Sequence, residues 1–322
     1  MNPRIHAQCI VNWLEPTCPP AQTLVIISTQ HLRQTRMTLV RLFEEAIGLD
    51  RFQLGGKGHG LVEMNSIGLP VPLGLIITTD ACKQYYAKGG RVPDGLFNEL
   101  KGKLGQLETL TGRQLGSRDK PLFLSVRSGA PYSMPGMMDT ILNLGLNDET
   151  TETLAKKTGN ERFSLDAHRR FIQMFGKIAL GVNGQKFEEI IESHKKKLGV
   201  KQDVELNPQI LRRIIQDFKE LIRLDSGREL PQDPWMQLEM AVEAVFRSWN
   251  NPRAVEYRRF YKIADDLGTA VTLQQMVFGN MGQDSGTGVA FTRNPSTGDR
   301  KLYGEYLRNA QGEDVVAGDT NP

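Results

Sequence analysis

The segment LSVRSGAPYSMPGMMDTILNLGLND, residues 124–148, joins three features: an extended run, an arginine carried on it, and a loop rich in glycine and methionine. Leu122, Leu124 and Val126 fall two apart, so Ser125 and Arg127 share the opposite face with Phe123 in a β-strand. Arg127 therefore stands at a strand end with a defined direction. The loop after it lacks the charged or Ser/Pro-diluted composition of a linker. Met134, Pro135, Gly136, Met137 and Met138 are costly to expose, so the loop is expected to pack against or clamp something. Taken alone, a strand-end arginine is equally well a partner in a structural ion pair.

Working outward, Gly55, Gly56, Lys57, Gly58 and Gly60 predict a glycine-rich turn. Leu61, Met64 and Ile67 or Leu69 follow at helical spacing, and Pro70 and Pro72 end that helix. Leu73 to Thr78 predicts a strand, and Thr79 and Asp80 offer an N-cap to a helix ending at Tyr85 and Tyr86. Leu96, Leu100, Leu104 and Leu107 mark an amphipathic helix. From Asp148 to about Ile263 apolar residues recur every three to four positions, as in Phe171, Phe175 and Ile178 or Leu211, Ile214, Phe218 and Leu221, and Pro252 breaks the pattern. Beyond Gly268 the period returns to two. Val271, Leu273, Gln275 and Val277 alternate with Thr272, Gln274 and Met276, then Gly279, Gly282, Gly286 and Gly288 predict a turn into a strand at Val289 to Thr292. Lys301 to Leu307 predicts its hairpin partner.

The class is α+β with an inserted helical subdomain. We divide the chain into residues 1–36, an extension expected to be disordered rather than a transit peptide; 37–147, a first α/β part; 148–263, the helical subdomain; and 264–322, a second β-rich part. A chain of 322 residues supports several such parts around a large core.

Composition excludes several functions. The net charge is +3 and basic residues are scattered apart from Lys195, Lys196 and Lys197, which is not the footprint of a nucleic-acid binder. The longest apolar run near the start, Leu24 to Ile27, is too short for a membrane span or secretory segment. Cys9, Cys18 and Cys82 are widely spaced, which fits a reducing, cytoplasmic setting without a disulfide framework. His59, His168 and His194 do not share a metal-ligand spacing and are expected to be structural or exposed.

Several segments have a chemical and a plain reading. The run Gly55 to Gly60 completes neither a Walker A loop nor GxGxxG. Its glycines nevertheless let backbone N–H groups approach an anion, Lys57 adds a point charge, and a following helix supplies a positive dipole end. Phosphate binding and an ordinary helix entry with a surface lysine both fit. Ser285, Gly286, Thr287 and Gly288 either cover phosphates or turn a hairpin, and Met276 and Val277 either face a purine or pack in the core. Of Arg169 and Arg170, at the head of an amphipathic helix, one covers the surface while the other turns inward, and the sequence does not say which.

Taken in order, Gly55-Gly56-Lys57-Gly58, Ser125-Val126-Arg127-Ser128-Gly129-Ala130, Ser133-Met134-Pro135-Gly136-Met137-Met138-Asp139-Thr140 and Ser285 through Pro295 resemble the pyruvate, phosphate dikinase family. The likeness runs from about residue 38 to residue 318, with Arg169 to Met174, Val245 to Trp249 and Tyr303 to Tyr306 agreeing. It implies an ATP-grasp nucleotide-binding domain with ATP and magnesium as cofactors. By position it implies that Lys57 and Arg127 hold nucleotide phosphates with Gly56 beside them, and that Arg170 is a further functional arginine. Met276 and Val277 would lie on the adenine-facing linker, and Gly286, Thr287 and Gly288 would cover the phosphates. It assigns no metal ligand.

The implied reaction is phosphoryl transfer from ATP to a carrier histidine, within an enzyme that interconverts ATP, phosphate and pyruvate with AMP, pyrophosphate and phosphoenolpyruvate. Two departures stand out. Ser193-His194 lies in a helical Glu/Lys context unlike the family's Thr-Ser-His, and no segment resembles its acidic strand and Gln-Thr-Arg element. The carrier-histidine and pyruvate-binding domains are therefore expected elsewhere, in an enzyme open to homo-oligomerisation. This chain is expected to be a truncated domain that does not run the overall reaction alone, with apolar faces in its second half left without partners. Two alternatives remain: a non-catalytic nucleotide- or partner-binding module, and a fragment of the related phosphoenolpyruvate synthase, although the Met-Pro-Gly-Met-Met-Asp-Thr run looks like the dikinase version.

Overall fold

The computed structural model describes residues 38–317, so the expectation for residues 1–36 lies outside the described residues, as do residues 318–322. In chain order the elements begin with β1 (Val40–Leu42), α1 (Arg51–Ser66), β2 (Gly74–Ile77), α2 (Thr79–Ala87) and α3 (Leu96–Thr111). A short pair, β3 (Gln114–Leu115) and β4 (Pro121–Leu122), leads into β5 (Leu124–Gly129) and β6 (Thr140–Leu144). The helical run comprises α4 (Asp148–Thr158), α5 (Glu161–Ile178), α6 (Gly184–Leu198), α7 (Pro208–Ser226), α8 (Pro234–Ser248) and α9 (Pro252–Tyr261). The chain then returns to strands with β7 (Ala270–Gln275), β8 (Gly286–Phe291) and β9 (Tyr303–Arg308), and reaches α10 (Gly312–Ala317).

The main sheet has five strands in the order β1, β2, β7, β5, β6, every neighbour antiparallel. β7 thus crosses back from beyond the helices to pair between β2 and β5. Its register aligns Leu75, Leu273 and Val126 in one row and Ile77, Val271 and Ser128 in another. Because side chains alternate across a strand, these rows face one side, where Leu75, Ile77, Val126, Val271 and Leu273 join the main core with the helices. The intervening rows face α1. Ile76 and Ala270 belong there to a second, smaller core with Phe43, Ala46, Leu54 and Val62.

The helices start where the sequence offers a cap. Asn147 and Thr150 form a reciprocal capping box at α4, Asn160 caps α5, and Asn207, Asp233 and Asn251 cap α7, α8 and α9. The prolines that follow the last three caps, Pro208, Pro234 and Pro252, occupy the first helical turn, where a missing N–H costs nothing. Pro252, read from the sequence as a break, therefore opens a helix.

The hairpin also differs from its expectation. β8 already begins at Gly286, so Gly286 and Gly288 are paired strand residues rather than turn residues. The reason is close cross-strand approach. A Cβ at Gly288 would lie 2.6 Å from the Glu305 carbonyl oxygen, and one at Gly286 would lie 2.2 Å from the Tyr306 hydroxyl, so the tyrosine lies across a strand that only glycine can provide. β8 and β9 form a separate two-stranded sheet on which Phe291, Tyr303 and Tyr306 are exposed.

Candidate functional site

The α1 side of the sheet is built from small and polar residues. Register places Ser125 beside Gln274, Arg127 beside Thr272 and Gly129 beside Ala270, with Thr140 on the other flank of Arg127. The Ser125 hydroxyl donates to the Gln274 carbonyl oxygen at 3.4 Å, and Gln274 Nε2 donates to the Pro72 carbonyl oxygen at 3.0 Å.

α1 reaches this face through its glycines. The expected turn before the helix is instead a kink within it, where Gly55 has φ 69° and ψ 160°. A Cβ at Gly55 would lie 1.9 Å from the Gly129 carbonyl oxygen, so the two backbones touch, and the Gly56 N–H donates to the Ala130 carbonyl oxygen at 2.8 Å. Only glycine combines that φ with that approach. Helical geometry resumes after the kink, and Lys57 lies on that first turn, its Cβ 3.8 Å from the position a Cβ at Gly129 would take.

Lys57 and Arg127 are thereby brought together. Lys57 keeps solvent contact but loses part of its solvation, and this, with the like charge of Arg127, draws its ammonium below the usual lysine range. Half-buried Arg127 is likewise lowered by loss of solvation. Among the described residues no carboxylate pairs with either. Among the described residues, Arg127 does not form the structural ion pair that a strand-end arginine invites. Two like charges crowded beside a helix start raise each other's cost of staying ionised.

The Met-rich loop packs, as its composition required. Met134 is buried, Met137 and Met138 lie partly buried against the main core, and Asn251 Nδ2 holds the Met137 carbonyl oxygen at 2.9 Å. Asp139 closes the loop half-buried. Loss of solvation pushes its carboxyl above the usual range against the pull of Arg253 and Lys177.

The other expected site residues lie apart from this pair. Met276 and Val277 follow β7 and line a cavity of about 920 Å³ with Phe123, Leu154, Phe278 and Met281, rimmed by Lys120 and Lys157. The Met276 N–H donates to the Phe123 carbonyl oxygen at 2.9 Å, which fixes this segment to β5. Since Thr272 pairs with Arg127 on the same strand, cavity and cations are about four residues, or roughly 13 Å, apart along β7. Of the two arginines on α5, Arg169 is buried on Asp166 and Asp203. Arg170 also holds Asp166, at 3.1 Å, and reaches Asp314 of α10 at 3.1 Å, so it links the helical layer to the segment after β9. Despite burial, these guanidinium groups hold the Asp166 carboxyl down at about 2. Gly286, Thr287 and Gly288 sit on β8 beside α10. Among the described residues the histidines form no cluster: His59 pairs with Glu63, His194 with Asp217, and His168 is buried in α5.

Sequence reasoning passed over Thr272, Asp139 and Asp314. Only the alternation of Thr272 and Gln274 with Val271 and Leu273 signalled a polar sheet face.

Comparison with known proteins gives one consistent result. The family model described as pyruvate phosphate dikinase, AMP/ATP-binding domain, matches residues 52–114 and 90–322. The pyruvate, phosphate dikinase of Entamoeba histolytica is 51% identical over 288 residues, covering 89% of this chain and 32% of that protein. The Rhizobium meliloti protein of the same name is 53% identical, covering 85% and 30%. A chloroplastic form from Arabidopsis thaliana is 55% identical, covering 84% and 28%. The chain spans about a third of the length of these relatives.

Proposed function

We propose that this chain, which belongs to the pyruvate phosphate dikinase AMP/ATP-binding domain family, binds ATP with its phosphates between Lys57 and Arg127 and directs them toward phosphoryl transfer. One observation carries the reading: two crowded cations share a sheet face with no carboxylate between them among the described residues. An unpaired cation pair is costly in a free protein and becomes favourable when a polyanion neutralises it. Met276 and Val277 would hold the adenine in the adjoining cavity, whose distance from Arg127 along β7 suits a nucleoside triphosphate. Residues 37–147, 148–263 and 264–322 are read as parts of one ATP-grasp domain, with Gly286, Thr287 and Gly288 over the phosphates and Arg170 as a third functional cation.

Magnesium belongs to such chemistry, where it neutralises phosphate charge. Among the described residues no group of three or more His, Cys, Asp or Glu side chains could hold a metal ion. The residues of this proposed site bind and align: Lys57 as a point charge, Arg127 as a planar fork, and the Gly56–Gly58 backbone as a surface without side chains. The acceptor is a carrier histidine outside the segment that this chain shares with its relatives, as is the pyruvate/phosphoenolpyruvate chemistry. Among the described residues no helix is long and apolar enough to cross a membrane. A cytoplasmic setting rests on the sparse, widely spaced cysteines.

Isothermal titration with MgATP tests the site. Lys57→Ala and Arg127→Ala are each expected to weaken binding about tenfold or more, the scale of a lost charge-assisted hydrogen bond. Unchanged affinity in both variants would overturn the assignment.

A further inference from the structure

Thr272 is the unexplained residue on the α1 face. It is fully buried, and its hydroxyl has no hydrogen-bond partner. Buried hydroxyls are nearly always satisfied, because an unsatisfied one keeps the whole desolvation penalty. Its neighbours define what can reach it. On one flank is Ile76, which offers only methyl groups, and on the other is Arg127, directly opposite in the β5–β7 register. Above it lies Gly58, where a Cβ would stand 3.4 Å from Thr272 Oγ1. The hydroxyl is therefore sealed beneath the α1 turn that carries Lys57, with no opening for a ligand. Directly opposite it in the register stands Arg127, whose guanidinium has N–H groups to give and lacks a carboxylate partner among the described residues.

We propose that Thr272 is a positioning residue for Arg127: when a phosphate group draws the guanidinium into place, the Thr272 hydroxyl accepts one of its N–H groups and fixes the plane of the fork. Directly opposed side chains on an antiparallel pair stand about 4.5–5.5 Å apart at Cβ, within reach of an arginine. The hydroxyl is thus unsatisfied in the free protein and satisfied in the bound one, so part of its desolvation penalty is relieved on binding. A Cβ at Gly58 would crowd the end of Ile76 at 2.9 Å and only touch the hydroxyl at 3.4 Å. This role of Thr272 rests on the phosphate reading of Lys57 and Arg127.

The consequence is a pair of effects with opposite signs. In Thr272→Val, of nearly the same shape, an unsatisfied hydroxyl is removed and the free protein is expected to melt at the same or a higher temperature. MgATP affinity, read by isothermal titration on the full chain, is expected to fall three- to tenfold. Thr272→Ser restores the hydroxyl and is expected to bind within twofold of the parent. Parent-like affinity in Thr272→Val would overturn the role, as would Thr272→Ser binding as weakly as Thr272→Val. So would a Thr272→Val protein that melts lower, since the residue would then be a packing element. Measuring Arg127→Ala and Lys57→Ala alongside separates the two levels. If they lose affinity while Thr272→Val does not, only the positioning role falls; if they also bind like the parent, the phosphate site itself falls.

Discussion

The two faces of the five-stranded sheet are made by the same strands and obey opposite rules. On the helical side, Leu75, Val126 and Leu273 form one continuous row, buried to completion in the main core. On the α1 side, one residue along, Ile76, Thr272 and Arg127 form the parallel row, with a methyl-bearing side chain, an unsatisfied hydroxyl and an unpaired cation in succession. The first face is optimised for burial. Each face carries a buried hydroxyl without a hydrogen-bond partner, Ser128 on the helical side and Thr272 on the α1 side, but only the second stands directly opposite a cation that lacks a carboxylate partner among the described residues.

The contrast can be broken at its strongest point by Gly55→Ala. The added methyl meets a backbone oxygen and sits on a positive φ, so more than ~4 kcal/mol of stability is expected to be lost, together with MgATP binding, as measured by urea unfolding and titration. Near-parent stability would mean that α1 can leave Gly129 at little cost. Next in size is a paired test of the two rows. Leu273→Ala is expected to cost ~3 kcal/mol through lost burial and a cavity, against less than ~1 kcal/mol for Ser125→Ala, whose hydroxyl makes only a long bond. Equal costs would erase the distinction between the faces.

The smallest effect concerns pH, and it belongs to the helical layer. His168 is buried near Asp148 and Lys219, and loss of solvation pulls its imidazole down to about 4. The unfolded chain takes up this proton near pH 6.5, whereas the folded one refuses it until about pH 4. The stabilisation is therefore complete above pH 6.5 and is lost progressively as pH falls toward 4. Asp166 does not blur this window, because its depressed carboxyl withdraws stability only between pH 3.8 and about 2. In urea titrations at pH 7, 5.5 and 4, His168→Gln is expected to flatten the decline; an unaltered slope would place it elsewhere.

How far this was legible in the sequence follows from the range of each interaction. The alternation along Val271 to Val277 and the three-to-four spacing of Phe171, Phe175 and Ile178 are local, and the strand and helices they predict are present. Pro252 was misread because proline's meaning depends on position within a helix, and the preceding Asn251 is the local signal that identifies a start. The kink at Gly55 was beyond local reasoning, since its cause is the carbonyl of Gly129. The same holds for Arg170. Its Asp166 partner sits one turn back on the same helix and could be inferred from spacing, but Asp314 is brought in only by the tertiary fold. Lys57 and Arg127 are each ambiguous on their own, and the packing of the α1 kink on β5 brings them together.

The contact between Gly55 and Gly129 has a mechanical meaning. Most binding sites set the spacing of their charges by side-chain packing, which yields by rotamer changes. Here the helix turn bearing Lys57 meets the strand bearing Arg127 through the peptide groups of Gly55 and Gly129, with the Gly56–Ala130 hydrogen bond as a second point of attachment. The spacing of the two backbones is thereby held by a close contact and a hydrogen bond that no rotamer change can relax. Adjusting the gap means sliding α1 as a whole, which breaks the Gly56–Ala130 hydrogen bond as well as the glycine contact.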